Sequence, residues 1–163
     1  MSYETDYDLL LQQADALIAD EPDALANIAN LCALLYQELE GVNWAGLYVL
    51  RDGELVLGPF QGLSACVRIP VGNGVCGTAA ASGEVQRVAD VHAFPGHIAC
   101  DAASNSEIVV PLYRDGALIG VLDIDSPDKA RFTAEDEAGI VAVAQRFEQV
   151  LAAGGLARAI APG

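Results

Sequence analysis

Cysteines stand at positions 32, 66, 76 and 100. A thiolate is a nucleophile, and it can pass through a sulfenic acid to a disulfide, so two cysteines brought together make a redox pair. No CxxC occurs, and the nine and twenty-three residues that separate Cys66, Cys76 and Cys100 do not match a zinc ribbon. His92 and His97 supply imidazoles, but nothing in their spacing joins them to the cysteines as a ligand set, so no metal is expected. His97 lies three residues before Cys100 and raises a Cys/His pair, although closeness in sequence is not geometry. Cys32 recurs at helical spacing with Ile28, Leu31, Leu35 and Leu39 and reads as a small core hydrophobe. The other three fall in an irregular stretch, where inert packing and thiol chemistry are both open.

Carboxylates form the second set. Asp123 and Asp125 are two apart in an apolar run, so as strand residues they share one face while Leu122 and Ile124 take the other. Glu107 opens the run that would pair with theirs. Such acids either point to solvent or crowd into a cleft. If crowded, they raise one another's pKa and retain a proton near neutrality, as a general acid must. Trp44 and Tyr48, four apart, also share a strand face, as core aromatics or as the wall of a small-ligand pocket. Gly72, Gly74 and Gly77 around Cys76 make no phosphate loop, because the Walker lysine is missing.

These residues need elements to hold them. Leu10, Ala14, Leu17 and Ile18 mark one helix, and residues from Pro22 to Leu39 mark a second, with Pro22 in its first turn and Gly41 as its stop. Val42 to Leu50 and Glu54 to Phe60 are strands joined at Asp52-Gly53. Glu107 to Tyr113 and Ala117 to Asp125 are strands joined at Asp115-Gly116. Between the hairpins lie a short strand over Cys66 to Ile69, a short helix through Ala81, a short strand over Val85 to Val88, and a long loop from His92 to Asn105. A closing helix starts at the capping pair Thr133 and Asp136, buries Ile140, Val143, Ala144, Phe147 and Leu151, and ends at Gly154-Gly155. Short hairpins imply antiparallel pairing, so the expected fold is α+β, a central antiparallel sheet flanked by helices. With no internal repeat or linker, residues 1–163 read as one domain, with a core over about 5–152 and a mobile tail over 153–163.

Composition removes several functions. The chain has 53% hydrophobic and 19% charged residues, which argues against disorder. Its 8 Lys and Arg against 23 Asp and Glu give a net charge of −15, which disfavours nucleic acid and anionic lipid as partners. No apolar run approaches a membrane span, and the acidic start, Tyr3-Glu4-Thr5-Asp6, is unlike a signal peptide, so a cytoplasmic location is expected.

Several segments together resemble the free methionine-(R)-sulfoxide reductases, small enzymes built on a GAF domain. They are Asn43-Trp44-Ala45-Gly46-Leu47-Tyr48, Leu57-Gly58-Pro59-Phe60-Gln61-Gly62, and Cys66-Val67-Arg68-Ile69-Pro70 through Gly74-Val75-Cys76-Gly77-Thr78. Further matches are Asp90-Val91-His92, His97-Ile98-Ala99-Cys100-Asp101, Ser104-Asn105-Ser106-Glu107-Ile108-Val109, Gly120-Val121-Leu122-Asp123-Ile124-Asp125-Ser126 and Arg131-Phe132-Thr133. The resemblance covers roughly residues 5–152, and ordinary ligand-sensing GAF domains lack this cysteine trio. It implies a single GAF-like domain that reduces free methionine sulfoxide of R configuration, not the peptide-bound form. It further implies that Cys100 attacks the sulfoxide and becomes a sulfenic acid, that Cys66 condenses with it to a disulfide, and that Cys76 is an accessory cysteine able to share the resolving role. Glu107, Asp123 and Asp125 match residues that bind the substrate amino group or supply the proton, and Trp44 and Tyr48 match the wall around the methyl sulfoxide. Thioredoxin is the implied reductant, a homodimer the implied assembly, and no bound cofactor is implied. A GAF module that senses a small molecule without catalysis is the rival reading. The cysteine trio counts against it.

Overall fold

Two Asp-Gly turns fold the chain as their residue types demand. Asp52 and Gly53 have φ of 50° and 79°, and Asp115 and Gly116 have φ of 51° and 80°. These are the paired left-handed conformations of a tight hairpin. The first turn joins β1 (Trp44–Arg51) to β2 (Glu54–Gly62), and the second joins β5 (Ser106–Arg114) to β6 (Ala117–Ser126). Two three-residue strands complete the sheet, β3 (Arg68–Pro70) and β4 (Gln86–Val88). The computed structural model describes residues 3–97 and 103–154, with side chains as far as 151.

The six strands run in the order β3-β2-β1-β6-β5-β4, and every pairing is antiparallel. Pairing β1 with β6 places the two hairpins side by side. Helices α1 (Tyr7–Ile18), α2 (Ala24–Glu38), α3 (Gly74–Ser82) and α4 (Ala134–Gly154) cover the sheet, with a 3₁₀ turn at Val91–Ala93. Period-two alternation sorts the strand residues between two cores. Ala45, Leu47, Val49, Ile108, Leu122 and Ile124 face α1, α2 and α4 and share one core with Leu10, Leu35 and Phe147. Trp44, Tyr48, Val109 and Val121 face the other way and share a second core with α3 through Val75, Cys76 and Ala79. The protein is thus α+β, as expected.

Helix ends differ from expectation in detail. Asp23, not the first helical turn around Pro22, starts α2, because its side chain accepts from the Ala26 N–H and caps the helix. Leu17 lies outside the buried face of α1 and is 41% exposed, whereas Leu10, Ala14 and Ile18 are buried. β3 begins at Arg68 rather than Cys66. α4 carries through Gly154, and the expected mobile tail falls largely outside the described residues.

Gly120 shows how tightly the hairpins meet. It pairs with Val49 on β1 and Leu112 on β5, and a Cβ there would stand 2.2 Å from the Tyr48 carbonyl oxygen. Backbone between two paired neighbours cannot retreat as a side-chain tip can. Gly120→Ala is expected to destabilise the fold by about 1–3 kcal/mol, read as a lower urea midpoint at unchanged m-value. An unchanged midpoint would contradict this packing.

Candidate active site

Strand register assembles the site. Glu107 on β5 lies opposite Asp125 on β6, and Asp125 lies opposite Trp44 on β1, so three strands contribute one row of side chains. The next row holds Val109, Asp123 and Gly46. Gly46 belongs here for space, because a Cβ at this position would lie 2.5 Å from the Trp44 ring and from Phe60 Cβ. Its missing side chain lets the indole lie across the strand, stacked on Phe60 at 5.3 Å and on Tyr48 at 5.9 Å between centroids.

The aromatic tips are anchored. Trp44 Nε1 donates to the Leu63 carbonyl at 3.0 Å, and Tyr48 Oη donates to the Cys66 carbonyl at 2.9 Å. Trp44 and Tyr48 therefore serve both readings, as buried aromatics and as a pocket wall. They also hold the loop that carries Cys66. The pocket, about 50 Å³, is walled by these rings and Ile69 and by the first turn of α3, and His97 and Ser104 line it as well. Glu107, Asp123 and Asp125 form its acidic side.

All three carboxylates are buried, at 8%, 5% and 9% exposure, which rules out the solvent-facing alternative. Burial, reinforced by the Asp123 carboxylate, pushes Glu107 well above the usual carboxylate range. Burial and the neighbouring Asp125 do the same to Asp123. Glu107 and Asp123 thus favour their protonated forms. One Asp123 oxygen, Oδ1, is buried without a hydrogen-bond partner, which is costly unless a ligand supplies a donor.

Cys76 sits against this cluster, its Sγ donating to Glu107 Oε2 at 3.7 Å. A cysteine in the first turn of a helix is normally acidified by the N-terminal dipole. Here complete burial and three neighbouring acids oppose that effect and prevail, holding the thiol well above its ordinary pKa. Ligand atoms of Cys76, Glu107 and Asp123 lie within 4.8 Å of one another. This arrangement suits a cation, and an ammonium group satisfies it as a metal ion would. Cys32, on the buried face of α2, is a free thiol that burial pushes up to about 12, as its core reading predicted. Cys66 is half-buried and disulfide-bonded. Cys100 lies outside the described residues.

His97 lines the pocket and meets His92 edge-on at 5.8 Å. Burial, then repulsion from His92, lowers its pKa, which favours the neutral imidazole. Ser104 and Asn73 also line the cavity, and no chemical pattern in the sequence marked them. Phe60 stands behind Trp44 as a support that alternation alone could not single out.

The GAF domain family matches residues 20–151. The free methionine-R-sulfoxide reductase of Escherichia coli is 62% identical over 138 residues, covering 85% of this chain and 84% of that protein. The structure of fRMsr of Staphylococcus aureus in complex with substrate superposes with a TM-score of 0.88 at 50% identity, covering 93% of this chain and 99% of that one. The free methionine-R-sulfoxide reductase of Neisseria meningitidis, also solved with its substrate, matches with a TM-score of 0.88 at 44% identity, over 94% and 95% of the two chains. Among the described residues no helix is long and apolar enough to cross a membrane. Similarity of this extent, over a sheet that brings the acids and aromatics of the motif segments into one pocket, places the chain in the GAF-domain family of free methionine-(R)-sulfoxide reductases.

Proposed function

We propose that this protein reduces free L-methionine-(R)-sulfoxide to L-methionine. The observation that carries the reading is the proton-holding cluster of Glu107, Asp123 and Asp125, buried opposite the Trp44 and Tyr48 wall. Sulfoxide oxygen leaves carbon-bound sulfur only when protonated, so a buried carboxylic acid beside it is the needed group. Glu107 and Asp125 serve as the acids, and the cluster, through Asp123 Oδ1 among others, receives the substrate ammonium. The rings face the methyl-bearing sulfur.

In this reading the Cys100 thiolate attacks the sulfoxide sulfur. Oxygen passes to the cysteine as a sulfenic acid while methionine departs with the sulfur electron pair. The Cys66 thiol then displaces that oxygen as water, forming a disulfide. Cys76, kept as a thiol by burial and its acidic neighbours, is unsuited to the first attack, which supports assigning that step elsewhere. It remains the accessory cysteine. A dithiol, thioredoxin by resemblance, returns the disulfide to two thiols, so the net reaction converts sulfoxide and dithiol to sulfide, disulfide and water. On the same resemblance the protein works as a single domain, in a homodimer, in the cytoplasm, where disulfides are characteristically transient.

The test is turnover coupled to NADPH oxidation through thioredoxin, with free methionine-R-sulfoxide, the free S form, and an amino-blocked R form. Only the free R form should turn over. Turnover of the blocked form would remove the ammonium-binding role of the acids, and no turnover with any of the three would leave the pocket as a ligand-binding module.

A further inference from the structure

The stretch around the disulfide has a surface unlike the rest of the chain. From Leu55 to Gly83 there is no Asp or Glu and one charged residue, Arg68, in a protein of net charge −15. Leu63 and Val67 flank Cys66 in sequence and are 69% and 61% exposed, and Val71 follows at 36%. Among the other described residues the exposed large apolar side chains are on α1 and α2. The loop is also fixed. Leu63 and Cys66 each offer a carbonyl to the aromatic wall, at 3.0 and 2.9 Å, and the Val67 carbonyl accepts from the Leu57 N–H at 2.9 Å. An apolar and backbone-anchored stretch with one charged residue, around a half-buried, disulfide-bonded Cys66, is a built surface.

We propose that Leu63 and Val67, with Val71 at the margin, form the docking face for a protein dithiol that reduces the Cys66 disulfide. This rests on the reading above that Cys66 belongs to the recycled disulfide. Its occupant follows from the chemistry and the charge. A disulfide consumed in every cycle needs an external two-electron thiol donor, and a stretch that carries no acid of its own, with Glu54 at its β3 margin facing Arg68, admits a partner's apolar face at Leu63 and Val67 with little like-charge repulsion. In the exchange a thiolate of the partner attacks Cys66 Sγ, breaking the protein's S–S bond and forming a mixed disulfide. The expelled cysteine leaves as a thiolate and takes up a proton. The partner's second thiol then attacks its own sulfur in the mixed disulfide, releasing Cys66 and leaving the partner oxidised.

The test compares Val67→Asp and Leu63→Asp with wild type, each oxidised beforehand with diamide. The second-order rate of disulfide reduction is measured by thiol count, with reduced thioredoxin and separately with dithiothreitol. Each variant should react roughly tenfold more slowly with thioredoxin, the size of a modest interface hot spot, while the dithiothreitol rate stays within about twofold. Equal slowing with both reductants, or slowing with neither, overturns the proposal. So does a change in sedimentation behaviour, which would make the patch a contact between copies of this chain. No sulfoxide enters this assay, so its failure is separable from failure of the substrate reading.

Discussion

Glu107→Gln is expected to slow sulfoxide reduction by about 10²–10⁴-fold, the usual worth of a positioned acid, while thioredoxin reduces the preformed disulfide at the wild-type rate. The amide fills the same space and still donates a hydrogen bond, but it cannot release a proton to the departing oxygen. The pH dependence carries the same signature. Burial and Asp123 raise the Glu107 pKa, so the high-pH limb of wild-type activity should fall as pH rises through that shifted value, a limb that Glu107→Gln lacks. Single-turnover sulfoxide reduction and disulfide reduction, measured separately across pH, decide the matter. Equal slowing of the two half-reactions would remove Glu107 from the acid role.

The same substitution should change stability in the opposite sense. Glu107 is raised relative to its unfolded value, so the folded state favours its protonated form. Its contribution is fully present below the unfolded pKa and is lost as pH rises through the folded one. Glutamine has no proton to lose. The melting temperature of Glu107→Gln should therefore match wild type near pH 4 and exceed it increasingly toward alkaline pH. Asp123 and Asp125 remain nearby in both proteins, so a difference that did not grow with pH would mean that Glu107 carries little of the cluster's electrostatic cost.

Asp136→Ala is expected to destabilise the fold by about 3–5 kcal/mol, the cost of leaving a buried charge without its partner. The Arg131 side chain is fully buried, and its Nη1 donates to Asp136 Oδ2 at 3.0 Å. Its Nε donates to the Glu40 carbonyl at 2.7 Å, and the guanidinium lies 4.5 Å from the Tyr3 ring centroid. Asp136 also accepts from the Thr133 N–H at 2.8 Å and from the Tyr7 hydroxyl. Removing it therefore takes away the Asp136 half of the reciprocal Thr133–Asp136 cap of α4 and strands both Arg131 and Tyr7. Against a total of about 5–15 kcal/mol, this is much of the available stability. The backbone N–H of Arg131 also donates to Ser106 Oγ at 3.3 Å, one residue before Glu107. Urea unfolding of Asp136→Ala and of the double variant Arg131→Met/Asp136→Leu provides the check. The double variant should recover the share of the loss that comes from the orphaned Arg131 charge, since apolar replacement of a whole buried pair is often neutral, while the Tyr7 hydroxyl and Thr133 N–H stay without their acceptor. A double variant as unstable as Asp136→Ala would point to lost packing rather than an orphaned charge.

The sequence alone determined the elements and their pairing sense. Asp-Gly between alternating apolar runs dictates hairpins, because both residues accept positive φ, and hairpins dictate antiparallel neighbours. It also determined that Asp123 and Asp125 share a face opposite Leu122 and Ile124, because strand side chains alternate strictly. Threonine and aspartate three apart announced the start of α4, and Cys32 at helical spacing announced a core thiol. Tertiary structure decided the rest. Period two separates the faces of a strand but does not say which face is wet, and here both are covered, one by α1, α2 and α4 and the other by α3 and its flanking loops. That second cover turned three acids from surface charges into a proton-holding cluster. The β1–β6 pairing, made between a hairpin that ends at Gly62 and one that begins at Ser106, set Trp44 beside Asp125 and Glu107. No local pattern encodes it, since long-range register follows from how both cores close at once. The state of Cys76 was likewise decided by packing, because a thiol in the first turn of a helix is acidified or silenced according to what buries it, and what buries it comes from other strands.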